Sequence, residues 1–442
     1  MPVTTELRTA RVVGEQQRVD ERQTPHPMAD AGDYGERMRI WRDMTTSDPL
    51  IRAVERLGAL FRQAPPGKVN PIRARLHEPK RMSEHIKEIA HFGGADVAGI
   101  TYLDQSYVYS HRASGSKTYG VPAGDPIDLP YKYAIVVGVA GDFDKYMAAN
   151  SRIADVEYAM DYQRLHFACY LLAGYIQELG YEARPAHAMG LREVNPVALG
   201  VLAGLGELGR HGLLIHEKYG SRLHLAVIAT NLPMEIDQPV DIGVNEFCQY
   251  CKKCARTCPT RSITFGGKDV YNGVEKWRIN VDTCYKARLS GHDITEKCLY
   301  CVTSCCYNKR DAWYHTLSIW FLKKTPVPLR PLIVKPLTWL DDVIWKQRPH
   351  VDMKWLDYDS EAQGARCGMT GCTATHPPAW KKRLQRPGRE AAQVYFPGPG
   401  PRVNGQHTNG HPWAGASSSV TAIRPAPERR ASERDAGTLP PA

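Results

Sequence analysis

At 442 residues, 43% of them hydrophobic, the chain is long enough for two or three domains and apolar enough to pack their cores. A formal net charge of +10 would suit acidic partners, but the basic residues are spread along the chain without the aromatic-basic pattern of a nucleic-acid module, so no specific nucleic-acid binding is expected. No stretch reaches the roughly 20 apolar residues of a membrane-spanning helix, and the first forty residues hold neither an apolar signal core nor adjacent arginines, which sets the expectation of a cytoplasmic protein.

Residues 1–33 are polar and aperiodic and are expected to form a flexible arm or a strap over the core. A mixed helix-and-strand region follows. Ile86 to His91 has a helical pattern broken by Gly93-Gly94, and Val97 to Tyr102 and the β-branched run Tyr133 to Val139 read as strands. The strongest helix spans about Asp155 to Leu179, with Leu165, Cys169, Leu172, Ile176 and Leu179 at helical spacing and Gly180 placed to cap it. Cys169 on that face is expected to be a core residue. Gly204, Gly206 and Gly209 match G-x-G-x-x-G, but without a convincing preceding strand or a suitably placed acidic residue, so a dinucleotide site is rejected and close backbone packing against some other large ligand is expected. Leu223 to Thr230 is a further strand, closed by Asn231-Leu-Pro233. From about 386 to 442, Pro, Gly, Ser and Arg dominate, and disorder is expected.

Eleven of the twelve cysteines lie between Cys248 and Cys372. Cys248-x2-Cys251-x2-Cys254-x3-Cys258-Pro259 is the run of bacterial ferredoxins, in which three thiolates wrap one [4Fe-4S] cubane and the fourth turns to a neighbouring one. Cys284, then Cys298-x2-Cys301-x3-Cys305, supplies a second set. By this wiring Cys248, Cys251, Cys254 and Cys305 hold one cluster, and Cys258, Cys284, Cys298 and Cys301 the other. Zinc is the weaker reading, because its ligands come as separated C-x2-C pairs. The second motif ends in Cys305-Cys306 where proline is usual, which leaves open which of the two is the ligand. Cys367 and Cys372 lie outside both motifs and are expected to be free thiols. Two cubanes in series form a wire, and a wire needs an acceptor.

The block from Tyr162 to Cys306 resembles the catalytic subunit of the reductive dehalogenases. The matching residues are Tyr162-Gln-Arg-Leu, Leu179-Gly-Tyr181, Ala203-Gly-Leu-Gly-Glu-Leu-Gly-Arg210 through Ile215, Lys218-Tyr-Gly-Ser-Arg222, Thr230-Asn-Leu-Pro233, both cysteine runs and Lys276-Trp277. Asn231 stands where that family more often has Asp. The resemblance implies an α+β protein: a nitroreductase-like α/β core binding base-off cobalamin, then a ferredoxin-like two-cluster segment. The expected division is an arm at 1–33, a cobalamin-binding catalytic domain at 34–240, the 2x[4Fe-4S] segment at 241–320, a C-terminal segment packing on the core at 321–385 and the tail at 386–442.

The resemblance further implies that the clusters feed cobalt, that the substrate is a small organohalide, and that Tyr162 protonates the carbon as its halogen leaves. A phenol in that role needs a nearby cation to stabilise its phenolate; Arg222 is the candidate, followed by Arg210. No Asp-x-His-x-x-Gly segment is present, so no histidine is expected as lower cobalt ligand, and the corrin or its nucleotide tail becomes the ligand expected at the glycine-rich stretch. With neither a twin-arginine leader nor a fused flavin reductase, an external ferredoxin or flavodoxin is the expected donor. Two other readings are kept: an epoxyqueuosine reductase acting on transfer RNA, for which the acid would be an aspartate near this tyrosine such as Asp161, and a non-catalytic iron-sulfur electron carrier.

Overall fold

The computed structural model describes residues 7–31, 33–34, 49–63, 67–113, 122–149, 152–188, 191–287 and 298–345. The expected tail at 386–442, with Cys367 and Cys372, lies outside them.

Among the described residues ten strands occur in chain order: β1 (Arg11–Val12), β2 (Val97–Tyr102), β3 (Tyr133–Ala140), β4 (Ala183–Ala188), β5 (Leu191–Arg192), β6 (Glu207–Leu208), β7 (Leu214–Ile215), β8 (Leu223–Thr230), β9 (Asp269–Tyr271) and β10 (Val274–Lys276). Five form an antiparallel sheet in the order β2-β3-β8-β4-β5. Its two central strands are apolar along almost their whole length, because both faces of the sheet are covered.

The pleat sends alternate residues to opposite faces. Ile135, Val137, Val139, Ala226 and Ile228 meet Leu165, Cys169, Leu172 and Ile176 of the helix Arg152–Glu178. Ala134, Val136, Leu225, Val227 and Ala229 meet Leu199, Val201 and Leu205 on the other side. Leu165, Leu172 and Ile176 are fully buried, each contributing about 2 kcal/mol of hydrophobic stabilisation. Cys169 is indeed a core residue, its thiol pushed up to about 12 by burial. The long helix stops where glycine permits the left-handed turn, Gly180 at φ 83°. Strand β4 slips register against β8 between Pro185 and His187, an irregularity that re-aims His187.

The glycine-rich stretch packs closely on its own chain. A Cβ at Gly204 would lie 2.5 Å from Gln238 O, one at Gly206 2.1 Å from Ile215 O, and one at Gly212 2.6 Å from Ile279 Cδ1. At these three positions the room that glycine gives is taken by the protein's own backbone and side chains.

The N-terminal segment is a strap. β1 pairs with β10, which pairs with β9, and Arg18 donates to the carbonyls of Val108, Tyr109 and Ile127. Among the described residues no helix is long and apolar enough to cross a membrane.

Candidate functional site

Tyr158, Tyr162 and His166 occupy successive turns of one helix face and therefore meet the same neighbours. The hydroxyls of Tyr158 and Tyr162 lie 3.3 Å apart. His224, the second residue of strand β8, packs its ring against both, with centroids 4.5 Å from Tyr158 and 4.6 Å from Tyr162. Behind it the hydroxyl of Tyr146 lies 2.5 Å from His224 Nε2 and 3.1 Å from Asp161 Oδ2. Arg164 Nη2 donates to the other oxygen of Asp161 at 2.5 Å. Burial raises the Asp161 carboxyl to about 6, against the pull of Arg164.

The arginines expected beside Tyr162 make their hydrogen bonds elsewhere. Arg222 donates to Gly141 O, Tyr219 O, Asn308 Oδ1 and Lys309 O. Arg210 donates to Cys248 O, Thr264 O and Gly266 O and lies over the ring of Trp277. The group that faces Tyr162 is His224, which nothing in the motif spacing singled out. Its place at the start of a strand opposite the tyrosine helix appears only once β8 is paired with β3. Asp161 is fully buried, its two oxygens taken by Tyr146 and Arg164.

The cysteines lie close enough to act on one another. Burial, and after it the charges of Cys305 and Cys251, push up the thiol of Cys248; burial, and then Cys248, Cys305, Cys251 and Cys301, push up Cys254. Cys301 is raised by burial and then by Cys298, Cys284, Cys258 and Cys305. Thiols gathered so closely would repel one another as thiolates unless cations stood between them. The backbone N–H of Arg210 points at Cys248 Sγ from 3.4 Å and that of Ser262 at Cys258 Sγ from 3.3 Å. Arg210 Nη2 is buried without a hydrogen-bond partner among the described residues, and its guanidinium lies within the field of Cys248, Cys254 and Cys251. An unfilled donor and a cation beside thiols suit an anionic sulfur cluster. No three His, Cys, Asp or Glu side chains among the described residues gather as they would around one metal ion.

The class the fold defines is an α+β core with a buried, cysteine-rich segment set against it. No protein-family profile matches the chain. The tetrachloroethene reductive dehalogenase of Sulfurospirillum multivorans is 28% identical over 291 residues, covering 56% of this chain and 54% of that protein. A solved structure described as a reductive dehalogenase that suggests a mechanism for B12-dependent dehalogenation superposes with a TM-score of 0.69 at 28% identity, over 81% of this chain and 50% of the other. The catabolic reductive dehalogenase NpRdhA, in complex with 3-bromo-4-hydroxybenzoic acid, does so with a TM-score of 0.67 at 28% identity over 76% and 48%. The epoxyqueuosine reductase of Lactococcus garvieae reaches 35% identity over 125 residues, 26% of this chain and 32% of that protein. The chain is thus similar in sequence and fold to reductive dehalogenases, and it spans about half the length of those it matches.

Proposed function

We propose that the chain is a cobalamin-dependent reductive dehalogenase that passes electrons through two [4Fe-4S] clusters and removes halogen from a small organohalide. The observation that carries this reading is the sequence and fold similarity of the core to dehalogenases, with closely spaced buried cysteines beside it in two ferredoxin-like runs. Cys248, Cys251, Cys254 and Cys305 would hold one cluster, and Cys258, Cys284, Cys298 and Cys301 the other.

The residues present fit cobalamin through polar atoms. His187 Nδ1 and Ser221 Oγ, next to Arg222, are buried without hydrogen-bond partners among the described residues, polar atoms of the kind that would meet the amide-fringed edge of a corrin. Cobalamin, when bound, would supply a low-valent metal able to reduce a carbon-halogen bond. Overall, two electrons and one proton convert the organohalide to the hydrocarbon and a halide ion.

Tyr162 is the proposed donor of that proton. Its hydroxyl has Tyr158 as neighbour and its ring rests on His224, so the developing phenolate faces a hydroxyl and an imidazole rather than apolar surface. Arg222 fixes the chain behind this array by bonding Gly141 O on one side and Asn308 of the cysteine segment on the other. An external ferredoxin or flavodoxin is the proposed electron donor. The epoxyqueuosine reductase reading is disfavoured because Asp161, its candidate acid, is buried and bonded to Tyr146 and Arg164.

Anaerobic reconstitution should yield about eight irons, as two cubanes require, together with bound cobalamin. Tyr162→Phe should keep both and lower halide release by about 10²–10⁴-fold. Undiminished halide release by Tyr162→Phe would remove the assignment of the acid, and iron uptake without cobalamin binding would leave only an electron carrier.

A further inference from the structure

Tyr162 must recover a proton after each turnover, and the groups behind it are arranged to deliver one. Resting on the dehalogenase reading, we infer that Asp161, Tyr146 and His224 form a buried proton relay that recharges Tyr162, with Asp161 and Tyr146 as positioning residues acting through the imidazole.

The geometry constrains where the hydrogens lie. Tyr146 has one hydroxyl hydrogen and two partners, His224 Nε2 at 2.5 Å and Asp161 Oδ2 at 3.1 Å. When Asp161 is a carboxylate it can only accept, so Tyr146 donates to it and in turn accepts from Nε2–H of His224. When Asp161 carries a proton, that proton passes to the Tyr146 oxygen, the Tyr146 hydrogen passes to Nε2, and Nδ1 can release its own. One proton enters at Asp161 and one leaves from a ring packed against Tyr158 and Tyr162, where a Tyr162 phenolate takes it up. No bond other than these O–H and N–H bonds changes and no electrons move.

Asp161, the head of the relay, is fully buried, and the nearest exposed group is Arg164, which holds its other oxygen and is 45% exposed. Other charged and titratable groups around the relay are few. Glu157 acts on Asp161 from one turn away on the same helix and is itself paired with Lys145 at 2.6 Å. Tyr158 and Tyr162 flank His224, and Arg222 lies within the field of Tyr146. A buried carboxyl raised to about 6 can hold a proton and release it close to neutral pH, which suits the head of such a path.

The test compares the cluster- and cobalamin-loaded protein with Asp161→Asn and Tyr146→Phe, using 3-bromo-4-hydroxybenzoic acid and tetrachloroethene as probes and a chemical reductant. Both variants should lower kcat about tenfold or more with KM unchanged, and both should lose the decline in rate that the wild type shows as pH rises through about 6. Independently of turnover, infrared titration of the full-length protein should show a protonated-carboxyl band that disappears on raising the pH through this range in the wild type and in Tyr146→Phe, and is missing from Asp161→Asn. Tyr146→Phe keeps the ring and leaves the Asp161–Arg164 pair in place, so it serves if Asp161→Asn misfolds. A wild-type pH profile in either folded variant, or no carboxyl band lost in Asp161→Asn, overturns the relay. Turnover retained by Tyr162→Phe would instead overturn the underlying assignment of the acid.

Discussion

Cys305 and Cys306 are neighbours in sequence with opposite surroundings. Both are buried, at the end of the short helix Tyr300–Thr303, where consecutive side chains diverge. Cys305 faces the first thiol group, adding its charge to those acting on Cys248 and Cys254. Cys306 Sγ lies 3.2 Å from Cys251 Sγ and 3.2 Å from Asp341 Oδ2. Asp341 is held ionised by Lys253 and Lys309, each at 2.5 Å, so a thiolate at 306 would face a carboxylate. The Cys306 thiol keeps its hydrogen, which lowers Cys251 and raises Cys306. Cys305→Ala should therefore lose one cluster, about four of eight irons, while Cys306→Ala should retain all of them. Iron analysis and electron paramagnetic resonance of the reduced proteins check this, and the opposite pattern would make Cys306 the ligand. The cysteine spacing left the doublet undecided because it measures distance along the chain, and the choice depends on Asp341, thirty-five residues further on.

At the scale of elements, the hairpin β6-β7 carries Glu207, whose Oε2 accepts from the N–H groups of Ile242 and Val244 at 2.8 and 3.1 Å. It thereby fixes the chain entering the helix Val244–Cys251 that bears the first two cysteines. Burial raises Glu207 to about 7 in spite of those bonds. The unfolded chain ionises near 4.3 while the folded one holds its proton, so the contribution to stability is complete below that value and declines as pH rises towards 7. Glu207→Gln keeps an accepting oxygen and removes the titration. Urea unfolding at several pH values should show the wild type losing on the order of 3 kcal/mol relative to Glu207→Gln across this interval, whereas parallel curves would mean that the carboxyl is solvated. The strands β2, β3 and β8, the long helix and its glycine stop were legible in sequence because periodicity and a left-handed cap are local properties. The packing of Gly204, Gly206 and Gly212 against Gln238, Ile215 and Ile279 was not, since the same residues would serve a ligand or a neighbouring backbone. His224 was hidden for a related reason: on a buried strand, one histidine among apolar residues reads as core until the opposite helix is placed.

Across the whole molecule, three segments distant in sequence meet at one ionic junction. Arg330 Nη1 donates to both oxygens of Asp241 at 2.7 and 2.8 Å and to Glu246 at 3.2 Å, and Arg8 of the strap bonds the same two carboxylates. The strap, the start of the cysteine segment and the helix Arg330–Trp345 are thus joined by charge, and the last two also share the apolar cluster of Ile242, Val244, Phe247 and Val334. Burial pushes the Asp241 carboxyl up, but the bonds from Arg330, Gly243 N–H and Arg8 outweigh it and hold the group below its ordinary value. Its stabilisation is therefore complete above about pH 4, the unfolded value, and is lost as pH falls through the lower folded one. Arg330 is 5% exposed and Asp241 35%, so the junction lies between a surface pair worth under about 1 kcal/mol and a buried one worth 3–5. Arg330→Gln should cost about 2 kcal/mol at pH 7, with the difference from wild type shrinking as the pH is lowered below 4. It should also loosen the strap, read as faster amide hydrogen exchange in Arg11–Val12 and its partner strand Val274–Lys276. A stability loss equal at pH 7 and pH 3, with unchanged exchange in that sheet, would show that Arg330 acts through packing alone and that β1 is held by its strand pairing without the junction.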